Sequence, residues 1–240
     1  MPIDRVSPSL RPDGRPVGYQ KWRHLLFLHW EADPEVLASH LPSGLEVDTH
    51  EGKAYVGVVP FTMRDVVPRW APPVPGVSHF HELNVRTYVV HDGVPGVIFF
   101  SLDAASTVAV AAARSVWRLP YHRASMKLDQ RDGHIHYTSR RLFPGPKPAT
   151  FEGSYRIGSP IGSAAPGTLD HFLIERYVLF TGAGGKLLEG RVHHVPYPLA
   201  AVELEDVLQT MTSRLPCREG APLAHYSAGV DVDIYALKPV

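Results

Sequence analysis

Alternation of apolar and polar positions is clearest over His79-Phe80-His81-Glu82-Leu83-Asn84-Val85-Arg86. A strand sends successive side chains to opposite faces. Leu83, Val85, Thr87 and Val89 therefore share one face, and Glu82, Asn84, Arg86 and Tyr88 share the other. A carboxylate, an amide, a guanidinium and a phenol form one polar row. The next run, Gly96-Val97-Ile98-Phe99-Phe100-Ser101-Leu102, predicts a second strand and is nearly all apolar. A polar row beside such a strand is either a wet outer face or the lining of a cavity.

Short apolar runs separated by turn residues continue through the chain and predict further strands at 24–30, 46–50, 54–61, 80–90, 97–102, 122–129, 133–141, 152–157, 190–195 and 230–237. The turn Arg131-Asp132-Gly133 joins two of them as a hairpin. Helices are fewer. Asp33-Pro34-Glu35 supplies a cap, a first-turn proline and a first-turn acid, and Pro42 with Gly44 ends that helix. Residues 106–116 are rich in Ala and Val. Residues 168–180 place Leu169, Phe172, Leu173, Arg176 and Tyr177 at helical spacing, and 203–211 give a fourth, weaker helical pattern. The proline-rich stretches 68–75 and 143–148 are expected as loops over the surface or at a cavity mouth.

Composition narrows the function classes. Hydrophobic residues make up 44% of 240, enough for a sizeable core. The 24 basic and 24 acidic residues cancel, so neither nucleic acid nor an anionic membrane has an electrostatic footprint. A single cysteine, Cys217, excludes a disulfide framework and a multi-cysteine zinc site. No stretch is long enough to span a bilayer, and residues 1–18, with three arginines and four prolines, are no secretory signal. A cytoplasmic, single-domain protein over 1–240 is expected, with 1–20 as a loose N-terminal arm. No dinucleotide, Walker or nucleophile-elbow motif is present, and no cofactor is expected.

Several segments resemble, in order, the YqjF-like family, whose function is not established and whose fold is similar to acetoacetate decarboxylase. They are His29-Trp30, Leu41-Pro42-Ser43-Gly44-Leu45, Val59-Pro60-Phe61, Glu82 to Val89, Phe100-Ser101-Leu102-Asp103-Ala104, Leu119-Pro120-Tyr121, Glu175-Arg176-Tyr177 and Val192-His193-His194. The resemblance covers most of the chain, from about Trp22 to Leu199. It implies an α+β, β-rich fold: an acetoacetate-decarboxylase-like bent antiparallel sheet or barrel enclosing a cavity, with a few peripheral helices. It also makes a homo-oligomer the expectation. In the decarboxylase, a lysine after a helix-ending proline forms a Schiff base, and a glutamate lines the same cavity. Glu82 matches that glutamate in context. Tyr121 and His122 occupy the lysine positions, and neither can form an imine. A Schiff base needs a primary amine of depressed pKa. Lys127, the nearest of only six lysines, shares its strand face with Arg123, Ser125 and Asp129 and should point to water.

The chemistry expected is therefore acid–base turnover of a small keto or carboxylic acid. Glu82, His122 and Tyr121 are the catalytic candidates. Arg86, Asn84, Tyr88 and Arg140 are the substrate-binding ones, with arginine suited to grip a carboxylate by its two-pronged fork. The competing reading is a binding protein that uses the same cavity without turnover. His79 and His81, on one strand face, form an alternative metal pair for which no third ligand follows at useful spacing. Glu175-Arg176-Tyr177 reads as a helical segment with a salt bridge to the sheet, and Asp103 as a helix cap.

Overall fold

Runs of β-branched and aromatic residues build one thirteen-stranded sheet among the described residues of the computed structural model, 3–74, 77–183 and 186–240. In chain order the strands are β1 Gly18–Ala32, β2 Glu46–Val47, β3 Ala54–Pro68, β4 Phe80–His91, β5 Val94–Ala104, β6 Tyr121–Arg131, β7 His134–Phe143, β8 Thr150–Gly162, β9 Val178–Ala183, β10 Lys186–His193, β11 Leu199–Gln209, β12 Leu223–Ile234 and β13 Lys238–Pro239. Three short α-helices, α1 Pro34–Ala38, α2 Thr107–Ala112 and α3 Leu169–Ile174, lie between them, and a π-helical turn, Ala113–Trp117, continues α2. The fold is β-rich, as the sequence predicts.

The sheet order is β13-β10-β9-β5-β6-β7-β8-β11-β12-β1-β3-β4-β2. Extra pairings of β4 with β5 and of β10 with β12 bend it back on itself. Pairing is antiparallel except where β5 runs parallel to β6 and to β9. Asp92-Gly93 turns β4 into β5, and Asp132-Gly133 turns β6 into β7. All four residues have positive φ, the conformation a two-residue hairpin needs to follow the twist of its strands.

The bent sheet has two large apolar layers, beside a smaller cluster around Val89, Ile98 and Phe180, and alternation sorts side chains between the two. Leu25 and Phe27 of β1 join Val59, Phe61 and Met63 of β3 in one. Leu26 and Leu28 join Val56, Val58, Leu83, Val85, Tyr137 and Phe151 in the other. Covered on both faces, β3 is buried at every position from Ala54 to Met63. Continuous apolar strands of this kind are what two-sided burial demands.

Three expectations are corrected. Residues 203–211 are not a helix but most of β11, paired with β8 through several register shifts. The helix expected over 168–180 stops at Ile174, because Glu175 turns extended and the chain enters β9. Its predicted start holds: Thr168 caps it, accepting from the His171 amide. The N-terminal arm is not loose over its described part. Arg5 pairs with Asp48, Arg11 with Asp233, and the Val17 amide donates to the Ile234 carbonyl at 2.7 Å. Arg5 and Arg11 thus find carboxylates far along the chain. The Asp33 cap is as predicted, its carboxylate accepting from the Glu35 and Val36 amides.

Candidate functional site

Inside the first apolar layer is a cavity of about 230 Å³. Strand β4 supplies its polar wall: Glu82, Asn84 and Arg86 all line it. Trp22, Leu25 and Phe27 of β1 and Phe61 and Met63 of β3 face it, and the α2 segment closes over it with Ala109, Ala112 and Trp117. Three of the four residues of the polar row thus face a cavity. Of the described loop residues 68–74 and 143–148, none lines it, and Trp70 is 85% exposed. Pro75 lies outside the described residues.

Glu82 is buried to 1% exposure. The Tyr121 hydroxyl donates to its Oε2 at 2.9 Å, and the Tyr137 hydroxyl donates to its main-chain carbonyl at the same distance. Burial pushes the Glu82 carboxyl up to about 8. The Tyr121 hydrogen bond opposes this and the nearby Asp103 carboxylate adds to it. Near neutral pH Glu82 is therefore mostly a neutral acid. With Oε2 held by Tyr121, Oε1 is the oxygen free to carry the proton. The same burial, with Glu82 as neighbour, raises Tyr121 well above the usual phenol range, so it remains a donor.

Arg86 is the second polar anchor. Its Nη2 donates to the Leu173 carbonyl at 3.0 Å, and its guanidinium lies over the Phe27 and Tyr88 rings. Its Nε is buried and has no partner among the described residues, and no carboxylate there lies within ion-pair reach of it. The other lining guanidiniums face carboxylates: Arg176 pairs with Asp48 at 2.9 Å, sharing it with Arg5 and leaving its own Nη2 unpartnered among the described residues, and Arg191 pairs with Glu189 at 2.6 Å. Asn84 Oδ1 is likewise buried without a partner among the described residues.

A small network places Arg86. The Leu173 carbonyl, at the end of α3, also accepts from Tyr88 Oη at 2.6 Å. Tyr88 spends its one proton there, so His29 Nε2, 2.7 Å from the same oxygen, is the donor to it. His29, Gly57 and Arg86 face one another across three adjacent strands. A Cβ on Gly57 would stand 3.2 Å from His29 Cδ2 and 3.3 Å from Arg86 Cγ. Glycine therefore leaves the space in which Arg86 lies. Gly57→Ala is expected to cost about 1–3 kcal/mol through overpacking, measured by urea denaturation, while keeping the fold by circular dichroism.

Three of the residues expected in the site lie elsewhere. His122 does not meet Glu82. In the parallel pairing of β5 with β6, Tyr121 lies opposite Leu102, a cavity residue, and His122 lies opposite Asp103, on the other side. There His122 Nδ1 bonds the Pro144 carbonyl, and burial, then the Arg141 charge, pushes its pKa down to about 4. Arg140 is exposed. Its neighbour Arg141 is the buried one, gripping Asp103 through Nε and Nη2 at 2.6–3.1 Å. Asp103 is thus no helix cap, and Ser106 caps α2 instead. Tyr88 is buried behind Arg86 and does not line the cavity.

His79 is half-exposed near Asp65, while His81 bonds Thr62 Oγ1 at 3.0 Å, so the two do not converge. No group of three or more potential metal ligands occurs among the described residues. Lys127 is exposed and paired with Asp129. Sequence reasoning missed Arg176 and Tyr177 as cavity residues. They come inward because the helix ends before them: Arg176 Nε caps the Phe172 carbonyl at 2.8 Å, and the Tyr177 hydroxyl donates to Glu175 at 2.6 Å.

With that geometry in place, relatives can be compared. A family described as an uncharacterized conserved protein, DUF2071, matches residues 19–231. The chain belongs to the DUF2071 family. Uncharacterized protein YqjF of Bacillus subtilis (strain 168) is 39% identical over 229 residues, covering 95% of this chain and 94% of that one. Solved structures extend the likeness of this DUF2071 fold at low identity. Acetoacetate decarboxylase from Legionella pneumophila superposes with a TM-score of 0.62 at 14% identity, over 96% of this chain and 91% of that one. The enduracididine biosynthesis enzyme MppR, complexed with the condensation product of pyruvate and imidazole 4-carboxaldehyde, gives 0.62 at 13%, over 94% and 90%. An acetoacetate decarboxylase-like enzyme from Sphingomonas wittichii RW1 gives 0.62 at 13%, over 95% and 94%. The DUF2071 chain therefore has the acetoacetate-decarboxylase-like fold. Among the described residues, no helix is long and apolar enough to cross a membrane.

Proposed function

We propose that this protein is a small-molecule enzyme that performs acid–base chemistry on a keto or carboxylic acid in its internal cavity, without an imine. The observation that carries the reading is a buried, unmatched Arg86 guanidinium on the same strand as a buried, protonated Glu82. At about 3.3 Å per residue, their Cα atoms stand roughly 13 Å apart. Both side chains line the same cavity. The substrate carboxylate docks on Arg86, and an oxygen further along the substrate meets Glu82 Oε1. A carboxyl near 8 holds its proton at pH 7 and yet releases it readily, the condition for general acid–base work. Tyr121 fixes the carboxyl and supplies a hydrogen bond as charge shifts. Lyase, hydratase and isomerase reactions all use such a proton transfer. The fold neighbours include decarboxylases, and no lysine lines this cavity among the described residues, which supports a route other than Schiff-base formation.

The test is turnover in a screen of keto and hydroxy acids. Glu82→Gln should reduce it by at least 100-fold. Arg86→Leu should weaken substrate binding on the order of 10- to 100-fold, the worth of a charge-assisted hydrogen bond. Turnover that survives Glu82→Gln unchanged overturns the assignment.

A second reading, ligand binding without conversion, has its own support. Glu82 is the only carboxyl group lining the cavity among the described residues, and no histidine joins it. Ligands that raise the melting temperature and are recovered unconverted would favour that reading.

A further inference from the structure

The charge balance of the cavity wall and its apolar surroundings restrict the ligand further. Of the three guanidiniums that line the cavity, Arg176 pairs with Asp48, a carboxylate it shares with the partly exposed Arg5, and Arg191 pairs with Glu189. Glu82, burdened by burial, keeps its proton near neutral pH. One positive charge, on Arg86, is left without a counter-charge among the described residues. A buried, uncompensated charge is costly, and a bound anion relieves that cost. A singly charged ligand gives Arg86 the carboxylate partner it lacks among the described residues. A dianion would strand its second charge against apolar walls.

Those walls are largely aromatic and aliphatic. Trp22, Phe27, Phe61, Phe80, Phe99 and Trp117 all face the hollow. A three-carbon acid would leave most of the roughly 230 Å³ and its aromatic surface unused. A ring or branched chain gains hydrophobic free energy with each apolar group it removes from water there. Asn84, midway between Glu82 and Arg86 on the strand, leaves its Oδ1 unpartnered and can accept from a hydroxyl on the ligand.

We infer that the ligand of this cavity is a hydrophobic monocarboxylic acid, bound with its carboxylate on Arg86, a carbonyl or hydroxyl oxygen at Glu82, and an aryl or branched alkyl body against the aromatic wall. This rests on the site assignment made above and specifies the substrate class for it.

Calorimetric titration of the whole protein tests this, using phenylpyruvate and 4-methyl-2-oxopentanoate as hydrophobic monoacids, pyruvate as the small one, and 2-oxoglutarate as the dianion. At least one hydrophobic monoacid should bind 100-fold or more tighter than pyruvate, and 2-oxoglutarate should not compete with it. Phenylacetone, which keeps the ring and ketone but lacks the carboxylate, should bind at least 10-fold more weakly than phenylpyruvate. That comparison needs no variant to fold. Arg86→Leu should erase the difference between phenylpyruvate and phenylacetone, and Arg86→Lys should restore part of it. Pyruvate or 2-oxoglutarate binding as tightly as the hydrophobic acids overturns the inference, and so does phenylacetone binding as well as phenylpyruvate. Hydrophobic acids that bind with this preference but are never converted refute the catalytic assignment and leave the ligand class standing. Conversion of pyruvate-sized acids that depends on Glu82, with aryl and branched acids rejected, does the reverse. Failure of every acid to bind refutes both.

Discussion

Asp48→Ala is expected to destabilise the protein by about 3–5 kcal/mol in urea denaturation, the cost of leaving a buried charge without its partner. Asp48 is fully buried and serves two cations, Arg176 from the segment between α3 and β9 and Arg5 from the N-terminal arm. Arg176 is also buried, stacked 4.4 Å from the Phe172 ring centroid and 4.8 Å from that of Tyr88. Burial already lowers its pKa, and Asp48 is the leading influence that opposes this. Without the carboxylate, a guanidinium enclosed by aromatic rings has nothing to neutralise it. For a domain whose net stability is about 5–15 kcal/mol, such a loss is a large fraction of the whole. Asp48→Asn, which keeps an acceptor, should lose less. A loss below about 1 kcal/mol for the alanine variant would mean that water or another acid reaches Arg176.

The second large effect is a change in the pH dependence of stability on replacing Glu82 with glutamine. Below about pH 4.5 the carboxyl is protonated in both folded and unfolded chains and costs nothing. Between there and about 8 the unfolded chain gives up the proton while the folded protein keeps it. Stability contributed by the bound proton is then lost as pH rises, at about 1.4 kcal/mol per pH unit and roughly 5 kcal/mol in all. Above pH 8 the loss levels off. Glutamine has no proton to lose, so Glu82→Gln should gain on the native protein steadily from pH 5 to pH 8. Taking the difference between the two proteins cancels the other titrating groups, among them Asp103 and Glu175, whose pKa values burial also raises. A difference independent of pH would show that Glu82 is ionised in the folded state.

What could be read from sequence was whatever alternation alone decides. It separated Glu82, Asn84 and Arg86 from Leu83 and Val85, and the fold keeps that division. The same rule separates Tyr121 from His122, because neighbours on a strand face opposite ways, and only one of that pair can meet Glu82. It equally separates Arg140 from Arg141, but nothing local shows which one faces Asp103.

The helix misread at 203–211 has a definite cause. Val202, Leu204 and Val207 all pack on one core layer, yet their spacing is two and then three. A register shift between Leu204 and Asp206 absorbs the extra residue, so a bulged strand imitates a helical period. The early end of α3 depends on distant partners. Arg86 and Tyr88 take the Leu173 carbonyl, and Glu175 accepts from the Tyr197 amide, contacts that no local window contains. The ion pairs of Arg176 with Asp48 and of Arg141 with Asp103 span 128 and 38 residues, and they too needed the tertiary fold to be seen.

The pairing of β1 with β12 sets when the hollow can come into being. Gly18 lies opposite Ile234, and both of these strands contribute to the wall around Glu82. During synthesis the ribosome must release about two hundred further residues before Trp22 and Phe27 acquire the neighbour that completes their side of the chamber. Contacts so distant in sequence belong to slow-folding topologies. The wall around Glu82 therefore stays incomplete until the strand 223–234 has been made and paired.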